Sequence, residues 1–156
     1  MSLNIRASWG PTYSLDQDVI THETLTMVRI PKGFYGLATL NGQPLILAEG
    51  IHVRNTRLFE YLEKKEINQE FIKHGTINIL RIPQGKYGKV VENNIPKLLS
   101  AGNYVTDSSL FTYHGLVDVN QPHIQHFTIQ IVRVPKAFVG MMTIGTKPLL
   151  LYEGMF

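Results

Sequence analysis

The sequence contains no cysteine. That excludes disulfides, a thiolate nucleophile and any metal site built on Cys ligands. A chain without disulfides suits a reducing compartment, so a cytoplasmic location is expected. No apolar run approaches the roughly 18 residues of a membrane-crossing helix, and no transmembrane segment is expected. Met1 to Gly10 shows no charged stretch followed by an apolar one, so no secretory signal is read there. Gly-rich phosphate loops and Walker-type motifs are absent, as is any spacing that sets a nucleophile beside an activating base. Ser100, Ser108 and Ser109 fall in predicted turns without a nucleophile elbow, and the carboxylates Asp16, Asp18, Glu49 and Glu60 form no recurring pair. Cations are few and dispersed, with 15 Lys and Arg against 12 Asp and Glu and a net charge of +3. The densest cluster, Lys64-Lys65, is flanked by glutamates. A nucleic-acid surface concentrates its basic residues, so nucleic acid is not the expected partner. Neither enzymatic activity nor a cofactor is expected.

What is present is a folded composition, 44% apolar and 17% charged over 156 residues, enough for one domain with a core of its own. Within it runs a repeat. The segments 22–52, 74–104 and 126–156 align without a gap at an offset of 52 residues. Eight columns are identical: His22/His74/His126, Thr24/Thr76/Thr128, Arg29/Arg81/Arg133, Pro31/Pro83/Pro135, Gly36/Gly88/Gly140, Pro44/Pro96/Pro148, Leu47/Leu99/Leu151 and Gly50/Gly102/Gly154. The connecting segments match as well, with Tyr61 opposite Tyr113 and Ile72 opposite Ile124. Residues 1–21 keep the same register, placing Trp9 with the two tyrosines, Gln17 with Gln69 and Gln121, and Ile20 with the two isoleucines. The opening and closing partial units therefore sum to one whole unit.

Each unit reads as about four short strands with turn signals every 8 to 12 residues, an all-β pattern. Thr24 to Ile30 alternates until Val28 breaks the phase, which predicts a bulge there. The following proline ends that ladder. Pro-Lys-Gly and Pro-Gln-Gly predict tight turns, and Ala137 in the third copy implies that Gly33 and Gly85 do not need a positive φ. Further strands are expected near Phe34 to Leu40, Pro44 to Ala48 and Leu58 to Leu62, with hairpin turns at Asn41-Gly42, Asn93-Asn94 and Gly145-Thr146. Gly50, Gly102 and Gly154 are expected at a bulge or a second turn, and Thr24, Thr76 and Thr128 in strands. A helical turn over Glu60 to Glu70 is disfavoured by Gly115 and Pro122 at the equivalent place.

The expected fold is thus all-β, three 52-residue antiparallel repeats in one domain, cut as 22–73, 74–125 and 126–156 plus 1–21. Complementary ends favour a closed pseudo-threefold arrangement, trefoil- or prism-like, which leaves no free sheet edge. The alternative is a linear array. The pattern Arg29-Ile30-Pro31-x-Gly33-x-Tyr35-Gly36, then Asn41-Gly42-x-Pro44, then Leu47-x-x-Gly50 and Phe59, resembles the opening segment of the stomatin/prohibitin/flotillin (band 7) domain and the tandem repeats of major vault protein. Residues 28–59 carry the best match, repeated at 80–111. The resemblance implies a linear array in a self-assembling shell or a membrane-associated scaffold.

Two repeated columns could carry a site. Facing a threefold axis, His22, His74 and His126 could hold a metal with one open position; the competing structural role is a ring held by a backbone carbonyl. Arg29, Arg81 and Arg133 could clamp an anion, or each could cap loop carbonyls beside the following proline. Aromatics near equivalent turns, Phe34, Tyr35, Tyr87, Tyr104, Phe138 and Phe156, could stack on a sugar, although Val139 in the Tyr35/Tyr87 column suits a core slot better. The leading expectation is a non-enzymatic interaction or scaffold module with a protein partner. A glycan or other small-ligand binder of trefoil or prism type is the alternative.

Overall fold

The computed structural model describes residues 12–14 and 17–156, and among them every regular element is a strand. The chain divides into two compact units, residues 1–67 and 68–156. The first contains copy 1 of the repeat, with strands β1 (Val19–His22), β2 (Leu25–Ile30), β3 (Phe34–Leu40), β4 (Gln43–Leu47), β5 (Gly50–Asn55) and β6 (Phe59–Glu66). The second contains copy 2, with β7 (Phe71–His74), β8 (Ile77–Ile82), β9 (Lys86–Glu92), β10 (Ile95–Leu99), β11 (Gly102–Asp107) and β12 (Phe111–Asp118). It also contains copy 3, with β13 (His123–His126), β14 (Ile129–Val134), β15 (Gly140–Ile144), β16 (Lys147–Leu151) and β17 (Gly154–Met155). Trp9, the copy 3 member of the Tyr61/Tyr113 column, lies outside the described residues.

Each sheet is antiparallel and draws all its strands from one copy. Copy 1 has sheets ordered β1-β2-β5 and β4-β3-β6, and copy 2 has β11-β8-β7 and β10-β9-β12. Copy 3 has β13-β14-β17 and the pair β15-β16. Backbone bonds outside the ladders recur as well. The N–H groups of Arg29, Arg81 and Arg133 each donate over 2.8 Å, to the carbonyls of Asp18, Glu70 and Pro122. Those carbonyls extend the first strand of each copy backwards, so the pairing cuts the copies at 19, 71 and 123. Each complete copy has six strands where the sequence suggested four. The two additions, β1-like and β5-like, are a four-residue strand and a Gly-headed strand with little periodicity of its own. The repeated glycines mark the start of the latter: Gly50, Gly102 and Gly154 have φ of 127°, 153° and 140°.

The fold corrects three local expectations. No bulge occurs at Val28, because β2 pairs in unbroken register with both β1 and β5. The apparent phase slip comes from polar residues on the core parity, Thr26 and Asn78, ahead of the buried Val28/Ile30 and Leu80/Ile82. The bulges lie instead on the β3–β6 and β9–β12 ladders, where register shifts at Leu62 and at His114-Gly115. Thr24, Thr76 and Thr128 sit in turns rather than strands. The hydroxyl of Thr24 donates to Asn55 over 2.6 Å, and that of Thr76 donates to Asp107 over 2.5 Å. Finally, Ala137 does need a positive φ: its value is 69°, beside 87° at Gly33 and 82° at Gly85. The turn geometry is set by the Pro carbonyl accepting from the residue three positions on, as at Pro31–Phe34, Pro83–Lys86 and Pro135–Phe138. The hairpin turns agree with expectation, with Asn41 and Gly42 at 53° and 76° and Asn93 and Asn94 at 52° and 64°.

Copies 1 and 2 each hold a small core between their two sheets. In copy 1 it is Val28, Ile30, Ala38, Leu47 and Phe59; in copy 2 it is Leu80, Ile82, Val90 and Phe111. The repeated glycine on the central strand is a packing requirement. A Cβ on Gly36 or Gly88 would come within 2.4 Å of Cδ1 of Ile30 or Ile82, the isoleucine of the Arg-Ile-Pro sequence.

Candidate interaction surface

The repeated histidines occupy the ends of β1, β7 and β13. His22 is exposed, whereas His74 and His126 are buried. In the second unit the reason is visible for His126. Its Nε2–H donates over 2.7 Å to the carbonyl of Val90, on β9 of the copy before it. Beside it lie His114 and Phe127, with ring centroids 5.6 and 5.1 Å away. This is the carbonyl-held ring of the structural reading, and the carbonyl belongs to the neighbouring copy. Among the described residues, no three His, Cys, Asp or Glu side chains gather as a metal site requires.

The arginines act in the same region. Arg133 donates through Nη2 to the carbonyl of Val119 over 2.8 Å, in the segment that joins copy 2 to copy 3. Arg81 donates through Nη1 to Oδ1 of Asn68 over 2.8 Å. Arg29 lies on β2 opposite Ile51. Arg81 borders a groove of about 420 Å³ with Asn68, Glu70, Pro83 and Leu116. Arg133 borders a second groove of about 580 Å³ that includes Lys86, Tyr87, Ser100, Val119 and Met155. Both grooves are open and shallow, and the guanidinium groups on their walls are already bonded to the protein.

One polar pair gave no repeat signal. The hydroxyl of Tyr113 donates to the carboxylate of Glu70. Burial, then that hydrogen bond and the carboxylate's charge, push the Tyr113 phenol well above its usual range. Tyr113 belongs to a repeated column but Glu70 does not, since its equivalents are Asp18 and Pro122, so the repeat could not announce the pair.

The aromatics do not form three equivalent platforms. Phe34 packs on the copy 1 core, and Tyr35, Tyr87 and Tyr104 are half-buried. In copy 3 the picture reverses. Phe138, Met141, Ile144, Leu150 and Tyr152 all stand in solvent, Met141 at 84% exposure. The corresponding residues at the first three places in copy 2 are Lys86, Lys89 and Glu92. This apolar surface lies on β15, β16 and the residues flanking them, and β15 and β16 form the only two-stranded sheet among the described residues.

No family model matches the chain, and no solved structure matches it. Two curated proteins of Dictyostelium discoideum are similar to part of it. Vacuolin-B is 35% identical over 77 residues, covering 47% of this chain and 13% of that protein. Vacuolin-A is 34% identical over 77 residues, with the same coverage. The chain thus spans a small fraction of the length of the curated relatives it matches. No helix among the described residues is long and apolar enough to cross a membrane.

Proposed function

We propose that this chain is a non-enzymatic β-repeat scaffold module whose partners are proteins. One observation carries the reading: the two side chains best suited to chemistry, His126 and Arg133, hold copy 3 against copy 2 through the carbonyls of Val90 and Val119. A residue that recurs in every unit and bonds to the neighbouring unit serves the array. The vacuolin similarity, over 47% of the chain, is compatible with the same reading, as is the resemblance of the Arg-Ile-Pro-x-Gly motif to band 7 and vault repeats.

Light scattering coupled to size exclusion, over about a hundredfold range of concentration, tests it. Species larger than one chain are expected. A strict monomer at every concentration that also binds a glycan or turns over a substrate would overturn the scaffold reading.

A further inference from the structure

We infer that copy 2 receives a lysine side chain of a protein partner in the groove beside Glu70, at the place where copy 1 holds its own Lys64. The inference rests on the scaffold reading and names one contact by which such a partner is recognised.

Copies 1 and 2 build the same corner from equivalent residues. Just ahead of the first strand stands an acid, Asp18 in copy 1 and Glu70 in copy 2. Its backbone carbonyl accepts from the N–H of Arg29 or Arg81. The last strand of the copy supplies a tyrosine, Tyr61 or Tyr113, and three residues on, Lys64 or Leu116. Lys64 pairs with Gly36 of β3 and Leu116 with Gly88 of β9, so both occupy the same place on their ladders.

The two corners are completed differently. In copy 1, Nζ of Lys64 donates over 2.9 Å to Oδ2 of Asp18. In copy 2 a leucine stands where that lysine was, and the carboxylate of Glu70 accepts instead from the hydroxyl of Tyr113. A hydroxyl satisfies one lone pair and brings no counter-charge. Among the described residues, Glu70 makes no ion pair. Arg81 borders the same groove, but its Nη1 donates to Oδ1 of Asn68. Arg29 holds the equivalent place in copy 1, and Lys64 meets Asp18 there all the same. A guanidinium at that place therefore does not bar a second cation from the acid.

What copy 2 keeps is room of matching chemistry. The groove of about 420 Å³ has Glu70 on its wall together with Pro83 and Leu116. Glu70 is exposed, so an ammonium can reach it from solvent. The methylenes of a lysine would lie along Leu116 and Pro83 while its head meets the carboxylate. In copy 3 the place of the acid is held by Pro122, so the site does not recur there. An exposed ion pair adds little affinity. Its use is to select the partner and fix where on the array it sits.

The probe is Nα-acetyl-L-lysine amide, followed by amide NMR of the whole chain. Shifts at Glu70, Tyr113 and Leu116 with millimolar affinity are expected. Nα-acetyl-L-norleucine amide, which keeps the stem and lacks the ammonium, should produce none. Glu70→Gln should weaken lysine binding about threefold to fivefold, the loss of one exposed ion pair. Leu116→Lys should fill the site from within, as Lys64 does in copy 1, and abolish binding. Should a lysine at 116 disturb the copy 2 core, Glu70→Gln still decides the matter. Absence of shifts up to about 20 mM probe, equal binding of the norleucine compound, or undiminished binding by Glu70→Gln would overturn the proposal. Light scattering reads assembly separately, so a chain that assembles and ignores the probe loses the lysine site and keeps the scaffold reading.

Discussion

Copies 2 and 3 share a sequence pattern and a first sheet, and they diverge at the second sheet. In copy 2, β12 brings Phe111 under β9, and Phe111, Leu80, Ile82 and Val90 are sealed together. In copy 3 the equivalents of the last two are Val134 on β14 and Met142 within the two-stranded sheet, and the buried apolar residues of β14 to β16 are Val134 and Leu151. Among the described residues, a third strand in the second sheet accompanies a core, and a two-stranded sheet an exposed apolar face. The repeat is therefore a unit of sequence but not by itself a unit of burial.

The largest expected effect comes from removing the aromatic that β12 brings under β9 in copy 2. Phe111→Ala is expected to destabilise the second unit by about 3–5 kcal/mol, through lost transfer energy and a cavity. Denaturant unfolding followed by circular dichroism would measure it. If copy 2's core were as loose as copy 3's, the cost would fall below about 1 kcal/mol.

Next comes the repeated glycine. Gly88→Ala would put a Cβ 2.4 Å from Cδ1 and 3.0 Å from Cγ1 of Ile82, inside a sealed core. A cost of about 1–3 kcal/mol is expected from overpacking. Gly140→Ala would crowd Cγ2 of Val134 at 2.9 Å and reach Cβ of Leu151 at an ordinary 3.5 Å, in a two-stranded sheet, and is expected to cost less than about 1 kcal/mol. Paired unfolding midpoints would show the difference, and equal costs would mean that the two copies pack alike.

The joint between the copies should be weaker than either core. His126→Ala leaves the Val90 carbonyl without its donor, which is expected to cost about 1–2 kcal/mol. Hydrogen exchange should localise the loosening to β13 and β14. Uniform loss of protection across copy 2 would contradict a role confined to the joint.

How much of this was legible in the sequence depended on whether a feature lived within a unit or between units. The hairpins at Asn41-Gly42 and Asn93-Asn94 were readable because their dipeptides require positive φ locally. The position of the bulge was not, because Val28 and Leu80 break the alternation through polar Thr26 and Asn78, and Asn78 is buried with its amide bonded to the carbonyls of Thr76 and Ser108. The identical histidines and arginines advertised a role, but their acceptors, the carbonyls of Val90 and Val119, are backbone atoms and carry no sequence signal. Tyr113–Glu70 was hidden because only one partner repeats.

That pair gives a pH-dependent contrast. The folded phenol of Tyr113 is raised above the unfolded value, chiefly by burial and then by Glu70. The folded state therefore holds this proton more tightly than the unfolded chain. The associated stability is fully present below about pH 10 and is lost as pH rises beyond it. Tyr113→Phe is expected to cost about 1 kcal/mol at pH 7 and to flatten the alkaline loss of stability above about pH 10, read from unfolding midpoints across pH. Tyr61 in copy 1 is raised too, by burial and then by Asp18, with Lys64 opposing, so Tyr61→Phe should flatten that loss less. A wild-type chain whose midpoint does not fall above about pH 10 would remove the basis for the contrast.

The smallest expected effect isolates the backbone. At the turn after the repeated proline, copies 1 and 2 use Gly33 and Gly85, and copy 3 uses Ala137, all with positive φ. A Cβ at Gly33 or Gly85 would meet nothing within 4 Å. The column therefore prefers glycine for conformation and not for space. For an L-residue the left-handed region costs about 1–2 kcal/mol, partly offset because alanine restricts the unfolded chain by about 0.4–1 kcal/mol. Ala137→Gly should then stabilise copy 3 by about 0.5–1 kcal/mol, and Gly85→Ala should destabilise copy 2 by a similar amount. Opposite signs at equivalent positions, measured by unfolding and by exchange of the β15 and β9 amides, are expected. If Ala137→Gly instead weakened copy 3, the turn there would owe its shape to the Ala137 side chain, and the two copies would differ in their turns as well as in the described strands of their second sheets.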